Sequence, residues 1–309
     1  MDQKKCILVG APVDSGKRRQ GCRMGPDAFR VAGLRETLRD LGHKVEDRGN
    51  VAMGPVEAAH SDNPEVYALG ETIAWTKALA DAAKSAMEDG LPIFLGGDHS
   101  LSLGTVAGVS EHAKAQGRPL YVLWLDAHSD YHSPLTTASG NLHGTPVGYF
   151  CGRGDFDGFP ELKATVPPKR VCMIGLRSVD GAEKAELANH DFTLHDMRAI
   201  DENGIAPLLR SFLQTVSDQD GMLHVSLDVD FLDPSIAPAV GTTVPGGATF
   251  REAHLVMEML HDSARVTSLD LVELNPFMDE RGKTASLMVD LTASLMGRRV
   301  FDRQTRSFA

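Results

Sequence analysis

Short apolar runs alternate with longer helical patterns along this 309-residue chain, and that alternation restricts the folds open to it. Six runs have the length and apolar content of buried strands: residues 6–11, 92–95, 120–125, 171–176, 223–227 and 266–274. Seven segments with helical periodicity lie between and after them, at about residues 25–41, 65–88, 100–116, 182–189, 205–216, 250–262 and 283–296. Strands joined through helices need right-handed crossovers, so we predict a three-layer α/β fold: a doubly wound, mostly parallel sheet with helices on both faces.

Composition limits the partners and the setting of such a fold. Hydrophobic residues make up 42% of the chain, and 31 lysines and arginines against 42 aspartates and glutamates leave a net charge of −11. The acidic surplus disfavours nucleic acid and anionic membranes as partners, and no apolar stretch approaches the roughly 18 residues of a membrane span. The first twenty residues show no signal-peptide pattern and the four cysteines form no CxxC pair. We therefore expect one domain over residues 1–309, in the cytoplasm and with reduced thiols.

Polar, chemically competent residues stand where three of the predicted strands end. The segments are Gly96-Gly97-Asp98-His99-Ser100, Asp126-Ala127-His128-Ser129-Asp130 and Ser226-Leu227-Asp228-Val229-Asp230-Phe231-Leu232-Asp233-Pro234. In an open parallel sheet, ligands bind beyond the carboxyl ends of the strands. Because strand side chains alternate between faces, Asp126 shares a direction with His128, and Asp228 with Asp230. We therefore expect these side chains to converge in one crevice.

The charge of this crevice decides what it can bind. Four carboxylates would meet there, those of Asp126, Asp130, Asp228 and Asp230. Carboxylates so close together take up protons unless cations neutralise them. Two divalent ions supply the balancing charge, and His99 and His128 complete the ligand set. Oxygen-rich ligands with two imidazoles and no thiolate favour Mn²⁺ over Zn²⁺, with Fe²⁺, Co²⁺ or Ni²⁺ as substitutes, whereas a single Mg²⁺ has no need of the histidines.

Each of these residues taken alone has a structural interpretation. An aspartate at a strand end is usually a turn former or a helix N-cap, and a lone histidine is usually a satisfied structural residue. A Gly-Gly-Asp sequence suits any turn from a strand into a helix. Three strand ends that each carry aspartate or histidine at these spacings nevertheless favour a metal site.

The three segments resemble the signature motifs of the ureohydrolase superfamily, which includes arginases, agmatinases, guanidinobutyrases and formimidoylglutamases. The resemblance extends over nearly the whole chain, from Gly10-Ala11-Pro12 through Gly25-Pro26 to the last helix. It implies an arginase-like α/β fold with two Mn²⁺ ions per subunit at the strand ends. By this likeness one ion is held by His99, Asp126, Asp130 and Asp228, and the other by Asp126, His128, Asp228 and Asp230.

The resemblance also implies a reaction. Two metal ions about 3.5–4 Å apart can bridge a water and lower its pKa from about 15.7 towards about 7, so that hydroxide forms at neutral pH. The hydroxide would attack the central carbon of a guanidinium group, and the tetrahedral intermediate would collapse to urea and an amine. The leaving nitrogen needs a proton, which an imidazole that titrates near neutrality can donate.

The stretch from Ser133 to Pro146 indicates the substrate, because its Ser-Gly-Asn-Leu-His-Gly core closely resembles the arginase version of this loop. Arginases convert L-arginine to L-ornithine and urea. The resemblance implies that His143 is the proton shuttle, that Glu273 orients the guanidinium and that Asp130 also acts in catalysis. The residues implied in substrate binding are His132, Thr137, Ser139, Asp180, Glu183, Thr242 and Glu273. Among them, Thr137 and Ser139 would hold the α-carboxylate, and Asp180 with Glu183 the α-amino group.

Several of these residues have structural alternatives. Glu273 could be an ion-pairing residue at a strand end, and Asp180 a helix N-cap. Thr137 and Ser139 could be turn hydroxyls that bond their own backbone, and His143 a structural loop histidine.

Two residues depart from the usual arginase pattern. His132 stands where arginases usually carry Asn, and Ser178 where many carry Asp. An imidazole still donates one hydrogen bond to a carboxylate but responds differently to pH, and Ser178 removes a negative charge near the α-amino site. The loop as a whole favours L-arginine, with agmatine, 4-guanidinobutyrate or another guanidino compound, and a metal-binding homologue without activity, as the alternatives. The family likeness also favours a homotrimer or homohexamer.

Overall fold

A computed structural model describes residues 3–299, and one eight-stranded sheet lies at its centre. The strands are β1 (Lys5–Ala11), β2 (Lys44–Asn50), β3 (Leu91–Gly96), β4 (Leu120–Leu125), β5 (Val171–Leu176), β6 (Thr193–Asp196), β7 (Met222–Asp228) and β8 (Val266–Val272). They lie in the order β2-β1-β3-β8-β7-β4-β5-β6, and every neighbouring pair is parallel. The predicted α/β fold is confirmed, while residues 1–2 and 300–309 of the expected domain lie outside the described residues.

Helices connect the strands of this sheet. They are α1 (Gly25–Val31), α2 (Leu34–Asp40), α3 (Leu69–Asp89), α4 (Ser102–Ala115), α5 (Pro146–Phe150), α6 (Gly181–Leu187), α7 (Met197–Asn203), α8 (Ile205–Asp218), α9 (Phe250–Ser263) and α10 (Lys283–Leu295). The helix predicted over residues 25–41 is two helices, because Gly33 takes a left-handed φ of 85° between them. The sequence did not predict α5, of five residues, or α7, of seven. None of the described helices is long and apolar enough to cross a membrane.

The two faces of the sheet carry separate apolar clusters. In β1, Cys6 and Leu8 pack on the face covered by α1, α2, α8, α9 and α10. Ile7 and Val9 point to the opposite face, which α3, α4 and α5 cover. This alternation along one buried strand produces the three predicted layers.

The two edge strands were not predicted from the sequence. Every residue of β2 and of β6 is exposed or only partly buried. An edge strand packs against a neighbour on one side only, so it needs no continuous apolar run and tolerates charged residues. The strand β8 is shorter than the run predicted over residues 266–274, because Glu273 takes a left-handed φ of 67° and the strand ends at Val272.

The middle of the sheet brings together parts of the chain that are far apart in sequence. β3, β8, β7 and β4 are neighbours in that order, although β3 and β4 follow each other along the chain. The carboxyl ends of these four strands therefore open into one crevice, at the place where an open α/β sheet binds its ligands.

Candidate metal centre and active site

The first of two carboxylate–imidazole clusters surrounds His99, beyond the end of β3. His99 Nδ1 lies 3.0 Å from Asp126 Oδ2, 3.2 Å from Asp130 Oδ2 and 3.0 Å from Asp228 Oδ2. All four residues are buried. The ends of β3, β4 and β7 thus bring one imidazole and three carboxylates to a single point, as the sequence predicts.

The second cluster lies beside the first and shares Asp126 with it. His128 Nδ1 lies 3.3 Å from Asp126 Oδ1 and 3.1 Å from Asp230 Oδ2. Asp126 therefore presents one carboxylate oxygen to each histidine, which is the arrangement of a residue that can bridge two ions. Asp228 contacts His99 through Oδ2, while its Oδ1 accepts the Asp230 amide at 2.7 Å, and the bridging role of Asp228 stays a prediction.

Within residues 3–299, two buried polar atoms of the first cluster lack a hydrogen bond whose place a bound cation could take. His99 Nδ1 and Asp126 Oδ2 lie 3.0 Å apart, but among the described residues neither buried atom makes a hydrogen bond of suitable geometry. Such an atom costs about 1–3 kcal/mol when it is left unsatisfied. His99 Nε2 lies 2.8 Å from Ser226 Oγ, and donation of that hydrogen bond would leave the Nδ1 lone pair available to a metal. The two clusters are candidate metal-binding groups of three ligands each.

Backbone amides hold the carboxylates in place. The His128 amide donates to Asp126 Oδ1 at 2.6 Å, and the Asp230 amide donates to Asp228 in the same way, each from two residues further along the chain. The Ala127 amide donates to Asp230 Oδ1 at 3.0 Å. Turn-forming aspartates make such bonds, so the structural interpretation of these residues and the metal-ligand interpretation hold together.

Protons occupy the clusters when no cation is bound. Burial, together with the neighbouring carboxylates, raises the pKa of Asp130 and of Asp228 well above the ordinary aspartate value. Burial acts to lower the pKa of His128, but its contacts with Asp126 and Asp230 outweigh that effect and raise the pKa to about 12. The metal-free protein therefore carries His128 as an imidazolium at neutral pH.

Metal binding is expected to release protons for this reason. A divalent ion must displace the proton of His128, so the apparent metal affinity should fall as the pH falls and rise as it rises. Calorimetric titration of the metal-free protein with Mn²⁺, in two buffers of different ionisation enthalpy, measures the protons released. We expect at least one proton per chain, and an observed heat that is the same in both buffers would contradict the assignment of His128.

A cavity of about 200 Å³ opens onto both clusters. Besides the six predicted metal ligands, its walls include His132, His143, Gly144, Ser178, Asp180, Glu183 and Thr242. Most of the predicted substrate-binding residues thus lie around one space. Thr242 also contacts the second cluster, because its Oγ1 donates to Asp230 Oδ2 at 3.1 Å.

Asp180 has two roles in the structure. Its Oδ1 accepts the amides of Ala182 and Glu183 at 2.8 and 2.9 Å and caps α6, as the structural alternative predicts. Its Oδ2 lies on the cavity side of this cap, 3.0 Å from His132 Nε2. Glu183 is buried and accepts the Ser129 hydroxyl at 2.5 Å. Asp180 can therefore act both as an N-cap and as an anion in the cavity wall.

Thr137 and Ser139 do not line this cavity. Their hydroxyl oxygens lie 3.3 Å apart, Thr137 donates to the Asn141 carbonyl, and Ser139 accepts the Asn141 amide. These are the local turn contacts of their structural alternative, and a role in binding the α-carboxylate stays a prediction.

Glu273 lies behind the cavity wall, directly after β8. Its side chain is 1% exposed, and its Oε1 accepts the His99 amide at 2.9 Å and lies 3.0 Å from His143 Nδ1. Its Oε2 pairs with the ammonium of Lys17. Lys17 was not predicted as a site residue, because Gly16-Lys17-Arg18-Arg19 has the composition of a solvated basic loop and carries no signal of burial.

The fold and this crevice define the class of the protein: a hydrolase of the ureohydrolase type, with a three-layer α/β fold and a candidate two-metal centre at the carboxyl edge of its sheet. A sequence model of the Arginase family matches residues 4–297, and the chain belongs to that family. This confirms the superfamily membership that the sequence motifs predict.

Relatives and solved structures agree with this membership. The chain is 58% identical to the arginase of Brucella melitensis over 304 residues, which cover 98% of this chain and 99% of the relative. It is 56% identical to the arginase of Agrobacterium fabrum over 306 residues, covering 99% and 94%. The solved arginase of Bacillus caldovelox superposes with a TM-score of 0.89 at 37% identity, over 96% of this chain and all of that one.

Proposed function

We propose that this protein hydrolyses L-arginine to L-ornithine and urea. The main support for this substrate is that one cavity is lined by both metal-binding clusters and by Asp180, an anion suited to an α-ammonium group. A guanidino compound without that ammonium, such as 4-guanidinobutyrate, would meet an unfavourable negative charge there. Membership of the Arginase family and the identities with bacterial arginases support the same substrate.

We propose two divalent ions, Mn²⁺ with Fe²⁺, Co²⁺ or Ni²⁺ as substitutes, as the cofactors. The residues that would hold them are His99, Asp126, His128, Asp130, Asp228 and Asp230. Such a pair supplies a water of lowered pKa as the nucleophile. The oxygen-rich donor set without thiolate supports manganese.

His143 is the proton donor in this proposal. The Glu273 carboxylate, 3.0 Å from its Nδ1, orients the ring. A proton on the opposite nitrogen, Nε2, can then pass to the leaving nitrogen of the substrate. His143 lines the cavity, and its backbone amide is fixed by the Gly16 carbonyl at 2.9 Å.

The head group of the substrate is proposed to lie between His132 and Asp180. Asp180 would receive the α-ammonium, and His132, at 3.0 Å from Asp180, would contact the α-carboxylate as a hydrogen-bond donor. Binding of the head group would then break the bond between the two residues and replace it with bonds to the substrate.

The remaining proposals concern the protein as a whole. Residues 1–309 would form one catalytic domain that acts in the cytoplasm on a small guanidino compound, not on nucleic acid or at a membrane. Family likeness supports a homotrimer or homohexamer. Light scattering coupled to size-exclusion chromatography measures that state directly.

A urea assay on manganese-loaded protein tests the function, with L-arginine, agmatine, 4-guanidinobutyrate and N-formimidoyl-L-glutamate as substrates. For the last, release of L-glutamate is followed, because the same cleavage gives formamide and L-glutamate instead of urea. We expect the largest kcat/KM for L-arginine. The variant Asp180→Asn keeps an N-cap residue but removes the charge, so kcat/KM for L-arginine should fall by about 10-fold or more, through loss of a charge-assisted bond. Turnover of 4-guanidinobutyrate should stay the same or rise. A preference of the wild-type protein for another compound would overturn the proposal, and inertness towards all four would favour the metal-binding homologue.

A further inference from the structure

Lys17 is a buried cation beside the proposed active site. Its side chain is 3% exposed, and its ammonium pairs with Glu273 Oε2. Lysine is almost never buried to this extent unless it is paired, so the ion pair is the reason the ammonium can remain there. Nothing in the proposed reaction uses this residue.

The contact between Lys17 and Glu273 is built into the fold. The Gly16 amide donates to the buried carboxylate of Asp98 at 2.8 Å, and the Gly16 carbonyl accepts the His143 amide. A Cβ atom on Gly16 would come within 2.6 Å of Asp98, so the chain is held close to this point. Lys17 is therefore anchored one residue from a fixed backbone position, unlike a lysine on a free surface loop.

Every acceptor position of Glu273 is in use. Oε1 accepts the His99 amide and contacts His143 Nδ1, while Oε2 pairs with Lys17 and lies 3.7 Å from the Cys22 thiol. For a guanidinium group that approached Glu273, the negative charge of the carboxylate would already be neutralised and both carboxylate oxygens would be occupied. The role predicted for Glu273, to orient the guanidinium, would require the Lys17 ammonium to leave.

We propose that Lys17 is a specificity-determining residue, an internal cation that occupies the Glu273 carboxylate and thereby weakens the binding of a cationic guanidinium substrate. This inference rests on the proposed function for its substrate. Two cations that compete for one buried carboxylate cannot both be fully neutralised, so removal of the internal cation should favour the external one. Burial alone would lower the pKa of Lys17, but Glu273 outweighs burial and raises it, so Lys17 is charged at any pH at which the enzyme would work.

The variant Lys17→Met tests this inference, since methionine fills a similar volume without charge. We expect KM for L-arginine to fall at least 5-fold. The inhibition constant of L-citrulline, in which a neutral ureido group replaces the guanidinium, should change less than 2-fold. A change in the general shape of the site would move both constants, whereas loss of a competing cation moves only the first.

Arg18→Met is the matched control. It removes a positive charge from the adjacent position of the same loop, but Arg18 is exposed and its guanidinium contacts the Glu65 carbonyl. The KM of the Arg18→Met variant for L-arginine should equal that of the wild-type protein. If Lys17→Met leaves KM unchanged or raises it, or if L-citrulline responds as much as L-arginine, the inference is wrong.

Two further measurements test the role of Lys17 if the Lys17→Met variant does not fold or if the wild-type protein does not hydrolyse L-arginine. If Lys17→Met does not fold, Lys17→Gln replaces it, because its neutral amide still donates a hydrogen bond to Glu273, and the same criteria apply. If the wild-type protein releases no urea from L-arginine, the proposed function fails. Calorimetric binding of the unhydrolysed L-arginine to the wild-type and Lys17→Met proteins then decides the role of Lys17, with a 5-fold tighter binding expected in the variant.

Discussion

Replacement of Asp126 by alanine is expected to disrupt both metal clusters and to lower kcat by about 10³-fold or more, because the metal pair contributes several kcal/mol of transition-state stabilisation. In the described part of the chain, Asp126 is the one carboxylate that contacts both histidines, through Oδ2 at His99 and Oδ1 at His128. Its loss removes a ligand from each cluster and a negative charge from both. Metal analysis of protein loaded with Mn²⁺ and then desalted should give fewer than one ion per chain.

His128→Ala is the control for this prediction. His128 belongs to the second cluster only, so its loss should leave one ion per chain at the site of His99. Circular dichroism of both variants checks that the fold is intact. Two ions per chain in folded Asp126→Ala protein, with activity near that of the wild-type protein, would contradict the assignment of Asp126.

Replacement of His143 by alanine is expected to lower kcat by about 10²–10⁴-fold, which is the usual contribution of a positioned general acid. KM for L-arginine should change little, because the residues proposed to bind the head group are intact. Steady-state urea assays between pH 7 and pH 10 measure both constants. Added imidazole should restore part of the activity, since its protonated form can enter the space that the side chain vacates and donate the proton.

His60→Ala serves as the matched control, because His60 is an exposed histidine whose side chain is 89% accessible. Its kcat should match that of the wild-type protein. A kcat for His143→Ala within about threefold of the wild-type value would assign His143 to the structural loop histidines instead.

The sequence predicted the centre of the fold better than its edges. β3, β4 and β7 are buried on both faces, so they are continuous apolar runs that a pattern can detect. β2 and β6 are half-exposed and polar, and nothing in their composition distinguishes them from loops. Their pairing with β1 and β5 comes from the tertiary structure, which periodicity cannot report.

The candidate site also has some features that the sequence predicts and others that it does not. The spacing of two between Asp126 and His128 predicted their convergence correctly, because strand ends and turns fix such neighbours locally. The ion pair between Lys17 and Glu273 joins residues 256 positions apart, so no local pattern contains it. The positions of Thr137 and Ser139 outside the cavity likewise depend on how one loop turns, which its sequence of hydroxyl residues does not determine.

The most direct test of the account is a crystal structure of the protein grown with Mn²⁺, with anomalous scattering recorded at the manganese edge. We expect two peaks per chain, about 3.5–4 Å apart, with Asp126 between them and His99 and His128 on opposite sides. A single peak, or peaks away from the carboxyl ends of β4 and β7, would contradict it.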